Sequence, residues 1–88
     1  MRVEVLVWNS RNVEHIWRHG VHPDEVDEIL RGDYRTVTTH SGRYLLMGRS
    51  TAGRYLVVIF APLGDGRGLV VTARDMTKTE RGRFFKLL

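Results

Sequence analysis

Residues 43–61, RYLLMGRSTAGRYLVVIFA, hold two apolar runs that each begin Arg-Tyr and are separated by Thr51-Ala52-Gly53. Each run is of strand length and rich in β-branched and aromatic residues. The small Gly-containing segment between them is the sequence of a turn, so the stretch predicts an antiparallel hairpin. A chain with such a hairpin at its centre needs partners for both outer edges, and the flanking sequence supplies them. YRTVTTH (34–40) is polar and β-branched, as an edge strand is. PLGDGRG (62–68) predicts another turn, followed by the strand LVVTARD (69–75). At the N-terminus RVEVLVW alternates Val3, Val5 and Val7 against Arg2, Glu4 and Leu6, the period of a half-buried strand.

Two helices are predicted between the first strand and the rest. NSRNVEHIWRHG (9–20) places Val13, Ile16 and Trp17 on one stripe, with Asn9 or Ser10 able to cap it and Gly20 where a helix stops. VHPDEVDEILRG (21–32) has Pro23 at the first helical position and Asp24 and Glu25 at the positive end of the dipole. Val21 is placed to staple onto Val26, and Gly32 supplies the stop. Thr77 and Glu80 form a T-x-x-E box that opens a last helix, with Phe84, Phe85 and Leu88 on one face. Gly82 weakens that helix by about 1 kcal/mol relative to Ala, so it depends on docking. The predicted order β-α-α-β-β-β-β-α is α+β: two N-terminal helices and a C-terminal one on a mainly antiparallel sheet of about five strands.

The 88 residues predict one domain, 1–88, with a modest core. There is no cysteine to make a disulfide or a zinc-thiolate site, and no apolar run approaches the length of a spanning helix. The N-terminus is too short and too charged for a signal peptide, so a soluble cytoplasmic protein is expected. Charge is unevenly divided. Residues 1–33 carry 4 basic and 7 acidic side chains (4 − 7 = −3), and residues 34–88 carry 10 basic and 3 acidic (10 − 3 = +7). A basic protein polarised in this way favours polyanions, and 12 of its 14 basic residues are arginine, which suits bidentate phosphate recognition.

His15 and His19 share a helix face at i, i+4, a metal-site geometry, yet Arg11 and Arg18 flank them and the carboxylate of an H-E-x-x-H site is missing. They read as structural or RNA-contacting histidines, and no metal or cofactor is expected. GDGRG leads into a strand rather than a helix, so it reads as a turn and not as a phosphate cradle. No Gly-x-Ser-x-Gly elbow is present. The acids of DEVDE (24–28) read as solvated helix surface. The strand arginines stand out more. Alternation puts Arg43, Leu45, Met47 and Arg49 on one face, and Val70, Thr72 and Arg74 on one face of their own strand. Arg49 and Arg74 end strands and Arg54 opens one. An antiparallel hairpin makes Arg49 and Arg54 neighbours, whereas the position of Arg74 depends on strand order.

With these residues in hand, the chain resembles the BrnT-type toxins of bacterial type II toxin–antitoxin systems. The matching pieces run in order: Val7-Trp8, RHGV (18–21), EVDEIL (25–30), GRYLLMGRSTAGRYLVVIFAP (42–62) and VVTARDMTKTER (70–81). The resemblance implies a RelE-like ribonuclease fold, metal-independent endoribonuclease activity on RNA, and neutralisation by a small DNA-binding antitoxin of ribbon-helix-helix type. It implies catalytic roles for Arg74 and Thr72, which match the family's I-S-x-R strand end at Val71–Arg74. It implies the same for Arg49 in the matching Gly-Arg, and for His19 in the matching His-Gly. Leu69 departs from the family, many members having a basic residue there, which removes one phosphate contact.

Combined with the chemistry of metal-free RNA cleavage, this assigns Arg49 and Arg74 to a phosphate clamp, Thr72 to a hydroxyl donor and Arg54 to an auxiliary contact. Arg43 and Tyr55 are assigned to RNA binding. His19 is the best general base by chemistry, with a helix-end role as the alternative. A catalytically inactive RNA-binding or antitoxin-binding module of the same fold is the competing reading. The apolar face at Phe84, Phe85 and Leu88 docks either within the chain or on a partner, leaving open a homo-oligomer or a toxin–antitoxin hetero-oligomer.

Overall fold

The computed structural model describes residues 3–39 and 41–88; Arg2 and His40, at the outer ends of two expected strands, lie outside them. The elements are β1 (Val5–Val7), α1 (Ser10–Trp17), α2 (Pro23–Ile29), β2 (Arg35–Thr38), β3 (Tyr44–Arg49), β4 (Tyr55–Gly64), β5 (Arg67–Asp75) and α3 (Lys78–Leu87). The five strands form one sheet in the order β1-β5-β4-β3-β2. Every pairing is antiparallel except that of β1, which runs parallel to β5 over Val5–Val7 against Arg67–Leu69.

Side-chain alternation along β3 and β4 divides the core into two clusters. Leu46, Leu56, Val58 and Phe60 join Ile16, Val21, Val26 and Ile29, so α1 and α2 cover one face of the sheet. Met47 and Val57 join Met76 and Phe84, with Leu45 and Tyr55 beside them, so α3 covers the other. A one-residue shift of register would exchange the two sets, which makes this pairing strongly specified. Two glycines permit the close packing. A Cβ at Gly48 would run into the Ile29 side chain, and one at Gly68 would meet the Phe60 ring at 2.6 Å.

The local signals explain the ends of the elements. Asn9 caps α1 and exchanges hydrogen bonds with Asn12, at 2.8 and 2.9 Å. Pro23 opens α2, and Glu25 reaches back to the His22 N–H. Thr77 and Glu80 form the expected capping box of α3. The turn between β4 and β5 is tighter than PLGDGRG suggested. Only Asp65 and Gly66 lie between the strands, both with positive φ, the backbone of a two-residue hairpin turn. Pro62 falls within β4, where the register shifts between Pro62 and Gly64, an irregularity that spares the sheet a missing donor.

Three expectations need correction. Trp17, placed on the buried stripe of α1, is 51% exposed and packs its ring against His22. Asn12 is buried in its place, its amide donating to the carbonyls of Val7 and Val70 at 3.1 and 3.0 Å. It fills the fork where β1 leaves β5, satisfying two carbonyls with one side chain. The acids of α2 are not simply solvated: Asp27 accepts from the Trp8 indole and Glu28 from the Thr51 N–H, while Glu25 binds Arg54. Finally, Val70 does not share a face with Thr72 and Arg74. Thr72 lies opposite Ile59 and Val70 opposite Phe60, so Val71 is an extra residue and the bulge reverses the alternation.

Candidate functional site

The order β5-β4-β3 brings the C-terminal ends of β5 and β3 beside the start of β4. Arg49 lies opposite Tyr55 and Arg74 opposite Val57, while Arg54 directly precedes β4. All three strand-end arginines therefore stand at one end of the sheet. Arg49 and Arg74 share the α3 face with Tyr55 and Val57. Strand spacing sets their Cα atoms about 12 Å apart. Arg54 turns to the other face and donates to the Gly20 carbonyl at 2.8 Å, next to His19.

Their electrostatic situations differ. Arg54 is held by Asp75 through Nε (3.2 Å) and Nη2 (3.1 Å), and by Glu25 through Nη1 (3.0 and 3.1 Å). Those bonds, Asp75 first, raise its pKa above the ordinary arginine value despite partial burial. Arg74 makes a two-pronged pair with Glu80, Nη1 to Oε1 at 2.7 Å and Nη2 to Oε2 at 3.0 Å, and also donates to the Asp75 carbonyl. The Glu80 hydrogen bond raises the Arg74 pKa, and reciprocally holds the Glu80 carboxyl at about 2. Among the described residues no carboxylate pairs with Arg49. Its guanidinium sits 5.2 Å from the centre of the Tyr55 ring, and Arg81 of α3 stands 4.4 Å from the same ring, both in cation–π range.

Thr72 is on the α3 face of β5, and its buried Oγ1 has no hydrogen-bond partner among the described residues. Thr72 and His15 both line a groove of about 440 Å³ between α1 and β5, with Arg11, Asn12 and Leu69. His19 is exposed just beyond α1, its ring edge-on to His15 at 5.5 Å. Arg43 does not join the group. It precedes β3, six residues from Arg49 and about 20 Å away along an extended strand. Tyr44, partly buried, stacks on Phe60 at the margin of the core. Among the described residues no group of three or more His, Asp or Glu side chains converges as a metal site would.

Three residues of this end were not singled out from the sequence as site residues. Glu80 was legible only as a helix cap, because its second partner is six residues back across a strand-to-helix corner. Arg81 follows it and had no periodic signal of its own. Asp75, at the very end of β5, joins Arg54 and Arg74 through its side chain and its carbonyl respectively.

The architecture has a solved counterpart. A crystal structure of the Brucella abortus ribonuclease toxin BrnT superposes with a TM-score of 0.67, over 84% of this chain and 97% of that one, at 21% identity. The chain has a BrnT-type toxin fold. No protein-family model matches the sequence, and no curated protein matches it. Among the described residues no helix is long and apolar enough to cross a membrane.

Proposed function

We propose that the protein is a metal-independent endoribonuclease toxin of a type II toxin–antitoxin system, with RelE-like architecture. One observation carries the reading: Arg49, Arg54 and Arg74 gather at one sheet end, in a fold shared with a ribonuclease toxin. The reaction opens with attack of a ribose 2′-oxygen on the adjacent phosphorus. The P–O5′ bond breaks as the P–O2′ bond forms, and the departing 5′-oxygen takes a proton from water, giving a 2′,3′-cyclic phosphate and a 5′-hydroxyl. Charge builds on the non-bridging oxygens, and forked, permanently charged donors stabilise it without a metal. Arg49, with no carboxylate to displace, is the ready half of the clamp. Arg74 is the other half and exchanges Glu80 for the phosphate on binding. Thr72 is assigned as a hydroxyl donor, its Oγ1 having no partner among the described residues. His19, exposed beside the carbonyl that anchors Arg54, is assigned to remove the 2′-hydroxyl proton. A small DNA-binding antitoxin of ribbon-helix-helix type is the assigned partner, covering the basic surface.

Incubating the protein with RNA, with and without ribosomes and in excess chelator, tests the reading. Fragments ending in 2′,3′-cyclic phosphate are expected in chelator, and their absence under every condition overturns catalysis. A second reading, an RNA-binding or antitoxin-binding module that cuts nothing, draws on the carboxylates already occupying Arg54 and Arg74. It predicts salt-dependent RNA binding with no cyclic-phosphate product.

A further inference from the structure

Beside Arg49 lies a cavity of about 280 Å³ lined by Asp33, Arg49, Tyr55, Phe84, Phe85 and Leu88. Its wall is aromatic: Phe85 is half-exposed and meets the Tyr55 ring edge-on at 5.5 Å, with Phe84 behind at 6.3 Å. Its two charged groups are of opposite kind. Among the described residues Asp33 makes no hydrogen bond or ion pair, and it does not pair with Arg49 although both line the same space. An acceptor-only carboxylate and a donor-only guanidinium thus stand apart across an aromatic surface, each with its hydrogen-bonding capacity unspent.

We propose that this cavity is a guanine pocket, reading one base of the RNA beside the bond to be cut. The inference rests on the ribonuclease reading and names the substrate feature that reading leaves open. Among the four bases only guanine presents two adjacent donors, N1–H and the N2 amine, matching the two oxygens of Asp33. The same ring offers O6 as an acceptor for one of the five N–H donors of Arg49, which leaves the others to the phosphate. Adenine and cytosine turn a ring-nitrogen acceptor beside their amine toward the carboxylate, and uracil offers one N–H between two carbonyls. Each of those leaves a like-polarity clash or an unpaired group, which is how such a pocket rejects them. The exposed Phe85 ring supplies the stacking surface that single-stranded bases use, and Tyr55, held between Arg49 and Arg81, backs it.

Binding of GMP, AMP, CMP and UMP, followed by chemical-shift perturbation, tests this without requiring cleavage. GMP is expected to bind about tenfold or more tightly than the others, with shifts centred on Asp33, Tyr55 and Phe85, and IMP, lacking the N2 amine, to fall between. Asp33→Asn leaves an exposed, unpaired position and is expected to fold normally while losing the preference for GMP. Equal binding of all four nucleotides, no binding at millimolar concentration, or an Asp33→Asn variant that keeps its preference overturns the pocket. RNA cleaved without regard to guanine overturns the pocket alone. GMP selectivity in a protein that never cleaves RNA overturns the ribonuclease reading alone.

Discussion

The Glu80 carboxylate meets Arg74 through both oxygens, at 2.7 and 3.0 Å, while Oε1 also accepts the Thr77 N–H at 2.8 Å. One side chain therefore caps α3 and ties it to the end of β5. Any anion that takes Arg74 must compete with the group that holds the helix in place.

That pair has a pH signature. The Glu80 carboxyl is lowered from 4.5 to about 2 in the folded protein, chiefly by Arg74. A depressed acid stabilises the fold fully above its unfolded pKa, and the contribution fades as pH falls from 4.5 through 2. Arg74 is more than a third exposed, so solvent screening leaves about 1–2 kcal/mol rather than the full shift. Glu80→Gln is expected to lower Tm at pH 7 by roughly 5–10 °C and to flatten the stability curve between those pH values, as read by circular dichroism.

Arg49→Ala and Arg74→Ala should each reduce RNA cleavage about a hundredfold or more, the usual cost of removing one donor aimed at developing charge. Arg49→Ala should cost no more than about 1 kcal/mol of stability, since that side chain is exposed, makes no ion pair among the described residues and loses only its cation–π contact with Tyr55. Full cleavage by a folded Arg49→Ala or Arg74→Ala protein would remove that residue from the mechanism.

Asn12→Ala strips the carbonyls of Val7 and Val70 of their shared donor in a buried fork. A loss of about 2–4 kcal/mol is expected in urea denaturation, from two acceptors left unsatisfied. A near-neutral result would mean that β1 closes against β5 without the amide.

Gly48→Ala sets a methyl against Ile29, where α2 rests on β3. About 1–3 kcal/mol of destabilisation is expected from overpacking. The companion variant Gly48→Ala/Ile29→Val, which trims the opposing side chain, should recover part of it.

Much of this fold could be read from residues that are neighbours in sequence. The central hairpin, the Thr77–Glu80 box and Pro23 at the start of α2 all act within a few positions, and the structure has them where local chemistry dictates. The failures all involve distant partners. Asn12 looks like an ordinary helix-surface residue until Val70 is brought beside it, and Trp17 took its place on the buried stripe from its spacing to Val13 and Ile16 alone. Glu25 belongs to a run of acids, and only the strand order reveals that Arg54 will be its partner. The bulge at Val71 left no mark in the alternation of LVVTARD. At the candidate site the arginines could be named but not their counterions, because strand-end positions are local and ion pairs across layers are not.

Strand β1 has a single neighbour, and that neighbour is the last strand of the chain. A nascent polypeptide emerging from the ribosome cannot seat β1 in the sheet until β5 has also been synthesised. The sheet end bearing Arg74 is completed at the same late step. A message truncated upstream of β5 would yield an open, unassembled fragment rather than a partly competent one, so competence waits on the synthesis of β5.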